Sequence, residues 1–363
     1  HASNNYSLEF EQLGKCILEN EKPYVSPEFS IQNAKIMDEI FDNEILIDVQ
    51  TLNIDSASFT DIHNYAKQQA GEGASDERVK EEIKKEMLLN VELQGKHRNR
   101  RTGSGGMLLG TVEKIGDALK GKIDLKEGDK IATLVSLSLT PLRIDEILDI
   151  RPDVDQVDIK GKAILFESGI YAKIPSDLPE KLALSALDVA GAPAQTAKLC
   201  QSGQTVVIFG AGGKSGMLCC YEAKKRVGVT GKVIGLANSP KSTNRIKELG
   251  FCDVVESVAG MTPPQIYELV EKLTNGKMAD VTINCVNVPD QEMPSVLVTK
   301  DDGIVYFFSM ATSFTKAALG AEGIGSDVTM IIGNGYTKGH AEITLQELRE
   351  CKALRDIFTE LYA

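Results

Sequence analysis

Val206-Val207-Ile208-Phe209-Gly210-Ala211-Gly212-Gly213-Lys214-Ser215-Gly216 is the stretch that decides the fold. Four apolar residues, three of them β-branched, read as a buried strand. The glycines then form a tight turn, and the residues from Ser215 to Val227 are patterned as a helix. A glycine turn in this setting lets backbone approach a pyrophosphate, and the helix start adds unpaired N–H groups and the positive end of its dipole. Gly210, Gly213 and Gly216 follow G-x-x-G-x-x-G, because Ser215 stands where G-x-G-x-x-G needs its last glycine. A nucleoside-triphosphate loop ending in Gly213-Lys214-Ser215 would require glycine at Ile208, so that reading fails.

Downstream, apolar runs at 232–236, 253–256, 280–286 and 303–308 alternate with helical patterns at 242–249 and 264–273. This is the βαβ rhythm of a doubly wound parallel sheet. Upstream the rhythm differs. A strand pattern opens at 44–49 and continues toward Leu52 and Ile54, and an amphipathic helix is expected over 74–90, capped by Asp76. Glu81 and Lys85 make an i,i+4 pair on its solvated face. Short strands near 107–115 and 124–131, joined by Gly and Asp turns, suggest a mostly antiparallel β domain. The chain of 363 residues is long enough for two such domains, and the fold class is α/β.

Composition narrows the function. Asp+Glu outnumber Lys+Arg by 52 to 40, no Trp is present, and no basic stripe occurs, which argues against a nucleic-acid partner. The apolar runs fall far short of the roughly 20 residues of a membrane span. Seven scattered cysteines without a Cys-x-x-Cys pair fit a reducing cytoplasm rather than a disulfide framework or zinc lobe. Four histidines without ligand spacing suggest no metal. After the second strand of the α/β half, Leu236-Ala237-Asn238-Ser239 offers no carboxylate for a ribose 2′-hydroxyl. NAD is therefore not secured, and Asn238, Ser239, Lys241 and Arg245 leave NADP open. Cys285 and Val286 fall at a strand end where a cofactor would lie, as lining residues. Cys219 and Cys220 read as packing residues. Asp55 and Ser56 sit in a turn just after a strand, a place more often occupied by a helix cap than by a site.

Gly110-Thr111-Val112-Glu113-Lys114-Ile115-Gly116, Leu125-Lys126-Glu127-Gly128-Asp129-Lys130-Ile131 and the 202–210 entry to the glycine turn are similar to motifs of the medium-chain dehydrogenase/reductase superfamily. Longer runs carry a closer likeness: Ile45–Val49 with Thr51–Thr60, Ala132–Leu142, Phe166–Ala172, Ala186–Gln195 and Phe307–Gly320. From about residue 41 onward the chain resembles the L-erythro-3,5-diaminohexanoate dehydrogenase family. The resemblance implies a GroES-like β-rich catalytic domain over 1–188, to which 334–363 returns, and a Rossmann domain over 189–333. Residues 1–40 are not covered by it.

It implies oxidative deamination of L-erythro-3,5-diaminohexanoate to 5-amino-3-oxohexanoate and ammonia, with hydride passing to NAD, or to NADP. By approximate alignment with zinc alcohol dehydrogenases, Asp55 replaces a zinc-binding Cys, and Gly106 and Met107 replace a His-Glu pair. Carboxylates suit ammonium groups as a metal suits an alkoxide. The acidic candidates are Asp55, Glu167 and Asp188, one of them the base. Lys316 or Arg143 would pair with the substrate carboxylate, and Ser56, Ser309 and Ser313 would line the substrate. Gly210, Gly213, Lys214, Ser215, Gly216, Asn238, Ser239, Cys285, Val286 and Ser309 would hold the cofactor. A homodimer or higher homo-oligomer is expected. Two rivals stay open: a zinc-free NADPH-dependent quinone or enoyl reductase, and a non-catalytic dinucleotide-binding structural protein.

Overall fold

A computed structural model describes residues 40–309, 311–333 and 336–363. Of the opening residues that the resemblance leaves uncovered, 1–39 lie outside these. The chain divides into two compact units at Ile174/Pro175.

The first unit contains β1 (Glu44–Ile54), α1 (Ser56–Ala70), α2 (Asp76–Gln94), β2 (Gly106–Ile115), β3 (Lys130–Thr133), β4 (Leu142–Arg151), β5 (Gln156–Phe166) and β6 (Tyr171–Lys173). Its sheet runs β4-β5-β1-β2-β3-β6, and every neighbouring pair is antiparallel. Ile45, Ile47, Val49, Leu52 and Ile54 of β1 join one core with Phe59, Ile62 and Ala66 of α1 and Val79, Ile83 and Met87 of α2. Each of the larger side chains contributes about 2 kcal/mol by leaving water, and Ala66 less. Ser75, rather than Asp76, caps α2 by accepting the Arg78 N–H. Asp76 lies instead in the first turn, where its charge faces the positive end of the dipole. The expected Glu81–Lys85 pair is replaced by Lys84–Glu81 and Lys85–Glu82 contacts one residue tighter.

The second unit begins with α3 (Glu180–Leu187) and α4 (Gly191–Leu199). There follow β7 (Thr205–Phe209), α5 (Lys214–Val227), β8 (Lys232–Ala237), α6 (Pro240–Leu249), β9 (Val254–Ser257), α7 (Pro263–Thr274), β10 (Ala279–Asn284) and α8 (Glu292–Leu297). The unit closes with β11 (Thr299–Phe307), α9 (Phe314–Ile324), β12 (Val328–Ile332), α10 (His340–Glu350) and α11 (Lys352–Tyr362). The sheet order β12-β11-β10-β7-β8-β9 is parallel throughout, so the winding reverses between β7 and β10. That reversal opens a crevice at the carboxyl ends of the strands.

Residues 175–188 and 336–363, expected above in the first domain, fall in the second compact unit. The described residues show why: α10 and α11 pack on α3, α4 and α5, and Arg349 of α10 binds Asp177 at 2.7 Å.

Gly106 sets the closest approach in the first sheet. Its φ is +115°, and a Cβ there would lie 2.1 Å from the Asn53 carbonyl oxygen. Gly71, at φ +93°, has nothing within 4 Å of that position. Gly106→Ala should therefore cost about 3 kcal/mol or more of stability and Gly71→Ala only about 1 kcal/mol, read as shifts in urea midpoint. Equal shifts would mean that only backbone conformation matters.

Candidate active site

The glycine turn is drawn tight by contacts at its base. Gly210 and Ala211 donate their N–H groups to the Leu236 carbonyl at 2.9 and 3.1 Å, and Gly213 donates to the Gly210 carbonyl at 2.9 Å. Gly210 has φ +75°. A Cβ on Gly216 would lie 2.0 Å from the Gly210 oxygen, so the helix seats against the turn only because that side chain is absent. Gly213 stands at the N-cap of α5, and the first helical bond runs from the Met217 N–H to its carbonyl. The amides of Lys214, Ser215 and Gly216 have no preceding turn to bond and form the donor end of the helix. An anionic phosphate group fits this cradle.

Lys214, expected at the cofactor, extends to Asp188 Oδ2 at 2.8 Å and lies 5.6 Å from the centroid of the Tyr362 ring. Two residues expected to act separately are thus joined in an ion pair at the mouth of the turn. Tyr362 carried no sequence signal, because α11 reaches α5 only through folding.

At the end of β8 Ser239 caps α6 in a reciprocal capping box with Ser242. Arg245 donates to the Gly212 carbonyl at 2.8 Å, tying α6 to the glycine turn. Asn238, Val258, Met261, Asp290 and Gln291 line a cavity of about 250 Å³. β10 ends at Asn284, two residues sooner than expected, so Cys285 and Val286 lie just beyond it. A Cβ on Gly210 would be 3.1 Å from Val286 Cγ2, which places Val286 against the turn. The Asn284 amide group is bonded to Gln291 O and Ser295 Oγ, and its carbonyl accepts the Val286 N–H.

Ser309 Oγ accepts the Ala311 N–H at 3.1 Å. Ser313 caps α9, and its own N–H donates to Glu292 Oε1 at 2.6 Å. Lys316 is exposed and paired with Asp290. The acidic partner raises its pKa, so it stays a cation.

In the first unit Asp55 follows β1 directly and opens α1. Its carboxylate makes no cap bond; Oδ2 instead accepts the Gly105 N–H at 3.0 Å. Ser56 donates to Asp155, a residue at φ +56° whose carbonyl accepts the Ile54 N–H. Asp155 thus places a second carboxylate near Asp55, and nothing in its sequence surroundings beyond a turn before β5 pointed to it. Buried Asn99 holds the 96–105 loop by bonding Ser58 O and Asp61, while Arg100 and Arg101 clasp buried Glu86. His97 in this loop is fully buried, and both ring nitrogens lack partners among the described residues. Burial pushes its pKa down to about 4.

Glu167 and Arg143 do not join Asp55. Glu167 is exposed and follows Phe166, which pairs with Glu44 at the far end of β1. Ten residues of strand separate that end from Ile54, about 33 Å at the usual rise. Arg143 binds Asp145 and sits opposite Lys162, whose own partner Asp48 is seven residues, about 23 Å, along β1 from Asp55. Among the described residues no three His, Cys, Asp or Glu side chains form a group able to hold a metal ion.

An antiparallel β unit followed by a doubly wound unit with a glycine cradle defines a dehydrogenase/reductase scaffold. In fold the chain is similar to CurK enoyl reductase (TM-score 0.55, 16% identity, 85% of this chain and 80% of that one). A mycobacterial quinone oxidoreductase is similar too (TM-score 0.51, 16% identity, 90% and 83%). Residues 23–175 match the family described as L-erythro-3,5-diaminohexanoate dehydrogenase N-terminal domain. L-erythro-3,5-diaminohexanoate dehydrogenase of Acetoanaerobium sticklandii is 62% identical over 323 residues, covering 89% of this chain and 91% of that protein. The enzyme of the same name from Fusobacterium nucleatum subsp. nucleatum is 60% identical over 324 residues, with the same coverage of 89% and 91%. The chain belongs to the L-erythro-3,5-diaminohexanoate dehydrogenase family.

Two outcomes test this geometry. His97 is neutral when folded below its unfolded pKa of 6.5, so the unfolded chain takes up a proton first as pH falls. The stability contributed by keeping it neutral is present above pH 6.5 and declines toward pH 4, by at most about 3 kcal/mol. Urea midpoints between pH 7 and 5 should fall less in His97→Leu than in the wild type; parallel declines would remove His97 as the titrating group. In fluorescence titrations, Gly216→Ala should weaken nicotinamide dinucleotide binding by about 100-fold or more. Gly228→Ala, at the other end of α5 with nothing within 4 Å, should leave it unchanged.

Proposed function

We propose that this chain oxidises the C3 amine of L-erythro-3,5-diaminohexanoate, giving 5-amino-3-oxohexanoate and ammonia. The observation that carries the reading is 62% identity to an enzyme of that name over nine-tenths of both chains. The Asp55 setting fits an amine substrate: a carboxylate that accepts the Gly105 N–H, with a second carboxylate, Asp155, anchored nearby.

An amine of this kind has a pKa of about 10 and reaches the protein as an ammonium ion. Its nitrogen has no lone pair to assist loss of hydride, so a proton must leave first. Asp55 is the group proposed to take it. An ordinary carboxylate lies about 6 units below the ammonium, a gap of about 8 kcal/mol, and desolvation of both partners on binding narrows that gap. The nicotinamide ring, when bound, supplies the hydride acceptor. Water then adds to the substrate iminium carbon and gives one proton to the nitrogen; the C–N bond breaks as ammonia departs, the remaining hydroxyl proton passes to solvent as the ketone forms, and Asp55 sheds its proton to solvent to reset the carboxylate. Asp155, with Ser56, pairs with an ammonium group of the substrate.

The residues fit a dinucleotide. Gly210 and Gly216 form a cradle that any side chain would fill, and the amides of Lys214, Ser215 and Gly216 would hold the pyrophosphate. Asp188 fixes Lys214 at its edge. Asn238 would meet the ribose, and the cavity beside it suits an adenine ring. With neither a carboxylate to repel a 2′-phosphate nor an uncommitted arginine to demand one, we read NAD as the acceptor with NADP also used. Lys316 as the carboxylate partner, Ser309 and Ser313 as lining residues, a homo-oligomer and a cytoplasmic setting complete the reading.

The test mixes the protein with 3,5-diaminohexanoate and either dinucleotide, following reduced nicotinamide and ammonia together. Equal amounts of both are expected. Asp55→Asn should lower kcat by about 100-fold while dinucleotide affinity holds, and Glu167→Gln should stay within about twofold of the wild type. Full turnover by Asp55→Asn would remove it as the proton acceptor; no ammonia with either dinucleotide would overturn the reading.

A further inference from the structure

We infer that Cys219 and Cys285 form an oxidisable pair, and that joining them as a disulfide shuts the glycine cradle. Cys219 lies on α5, three residues after Gly216, and is fully buried. Cys285 lies just beyond β10 and is partly exposed. Their sulfur atoms are 3.8 Å apart, in contact across the turn that the cradle is built on. A disulfide needs about 2.05 Å, so closure asks for a movement of about 1.8 Å.

The surroundings leave little room for that movement. Cys285 donates its N–H to the Phe209 carbonyl at 3.1 Å, so it is held at the last residue before the turn. The position of a Cβ on Gly210 is 3.3 Å from the Cys285 carbonyl carbon, while one on Gly216 would already be 2.0 Å from the Gly210 oxygen. Drawing Cys285 toward α5 therefore presses the wall behind Gly210 into a turn without slack.

The chemistry requires an oxidant of the peroxide class. Partly exposed Cys285 reacts first: its sulfur takes one oxygen from hydrogen peroxide to become a sulfenic acid, and one water leaves. The Cys219 sulfur then attacks the Cys285 sulfur, its proton departs with the hydroxyl as a second water, and the S–S bond forms. Two thiols lose two electrons and one peroxide becomes two waters. Burial holds the Cys219 thiol well above its ordinary pKa, so the second step is slow and the pair responds to sustained rather than brief exposure.

The effect on function rests on the reading of the glycine turn as the dinucleotide site, but the bond itself can be read without any cofactor. Apo protein is incubated with hydrogen peroxide, blocked with an alkylating reagent, digested and examined by mass spectrometry. A peptide pair linked through Cys219 and Cys285, lost on treatment with dithiothreitol, is expected. NAD affinity should fall at least about tenfold in parallel and recover with the reductant. Cys219→Ser should bind NAD as the untreated wild type does and keep that affinity after peroxide; Cys219→Ala serves if the serine variant is unstable. A linkage of Cys220 to Cys252, or of no cysteines, overturns the pairing. The Cys219–Cys285 link formed with NAD affinity unchanged overturns the closure, and leaves the assignment of the cradle to be judged on Gly216→Ala.

Discussion

The second unit depends on one close approach, that of the α5 backbone at Gly216 to the carbonyl oxygen of Gly210. With hydrogen in place of a side chain the helix starts directly against the strand turn. A methyl group would stand 2.0 Å from that oxygen. This contact seats the helix start and its first amides at the carboxyl end of β7, beside the place where the winding of the sheet reverses. Lys214, Asp188 and Tyr362 then stack around the same point, and Arg245 braces the turn from α6.

The first unit follows the same logic with different chemistry. Gly106 brings β2 against the end of β1, and the adjacent Gly105 N–H holds the Asp55 carboxylate. The 96–105 loop that delivers these glycines is fastened by Asn99, Arg100 and Arg101 to buried acceptors on α1 and α2. A carboxylate in this position is the group proposed above to exchange protons with an ammonium ion. Amine chemistry demands that capacity and alcohol chemistry can obtain it from a metal instead.

The sequence was most legible where local pattern and global fold coincide. The βαβ alternation and the glycine turn pointed to the parallel second sheet and the strand–turn–helix at its centre, because strand period, turn chemistry and helix start all lie within a dozen residues. The long runs shared with a known family gave its activity. Pairings between distant segments were not legible. Lys214 meets Asp188 across 26 residues, and Ser56 meets Asp155 across 99. Glu167 was grouped with Asp55 on acidity alone, yet antiparallel register sends it to the opposite end of β1, a matter of strand pairing rather than composition. The division of the chain moved for a similar reason: the two last helices follow the packing of α3 to α5, which no local pattern records.

The central claim is that a hydride leaves the carbon bearing the C3 amine. Substrate carrying deuterium at C3, and separately at C5, tests it most directly, with the label followed by mass spectrometry into the reduced nicotinamide. The C3 deuterium should appear on the dinucleotide in step with released ammonia, while the C5 deuterium stays in the product. Transfer from C5, or ammonia release with the C3 label lost to water, would contradict it.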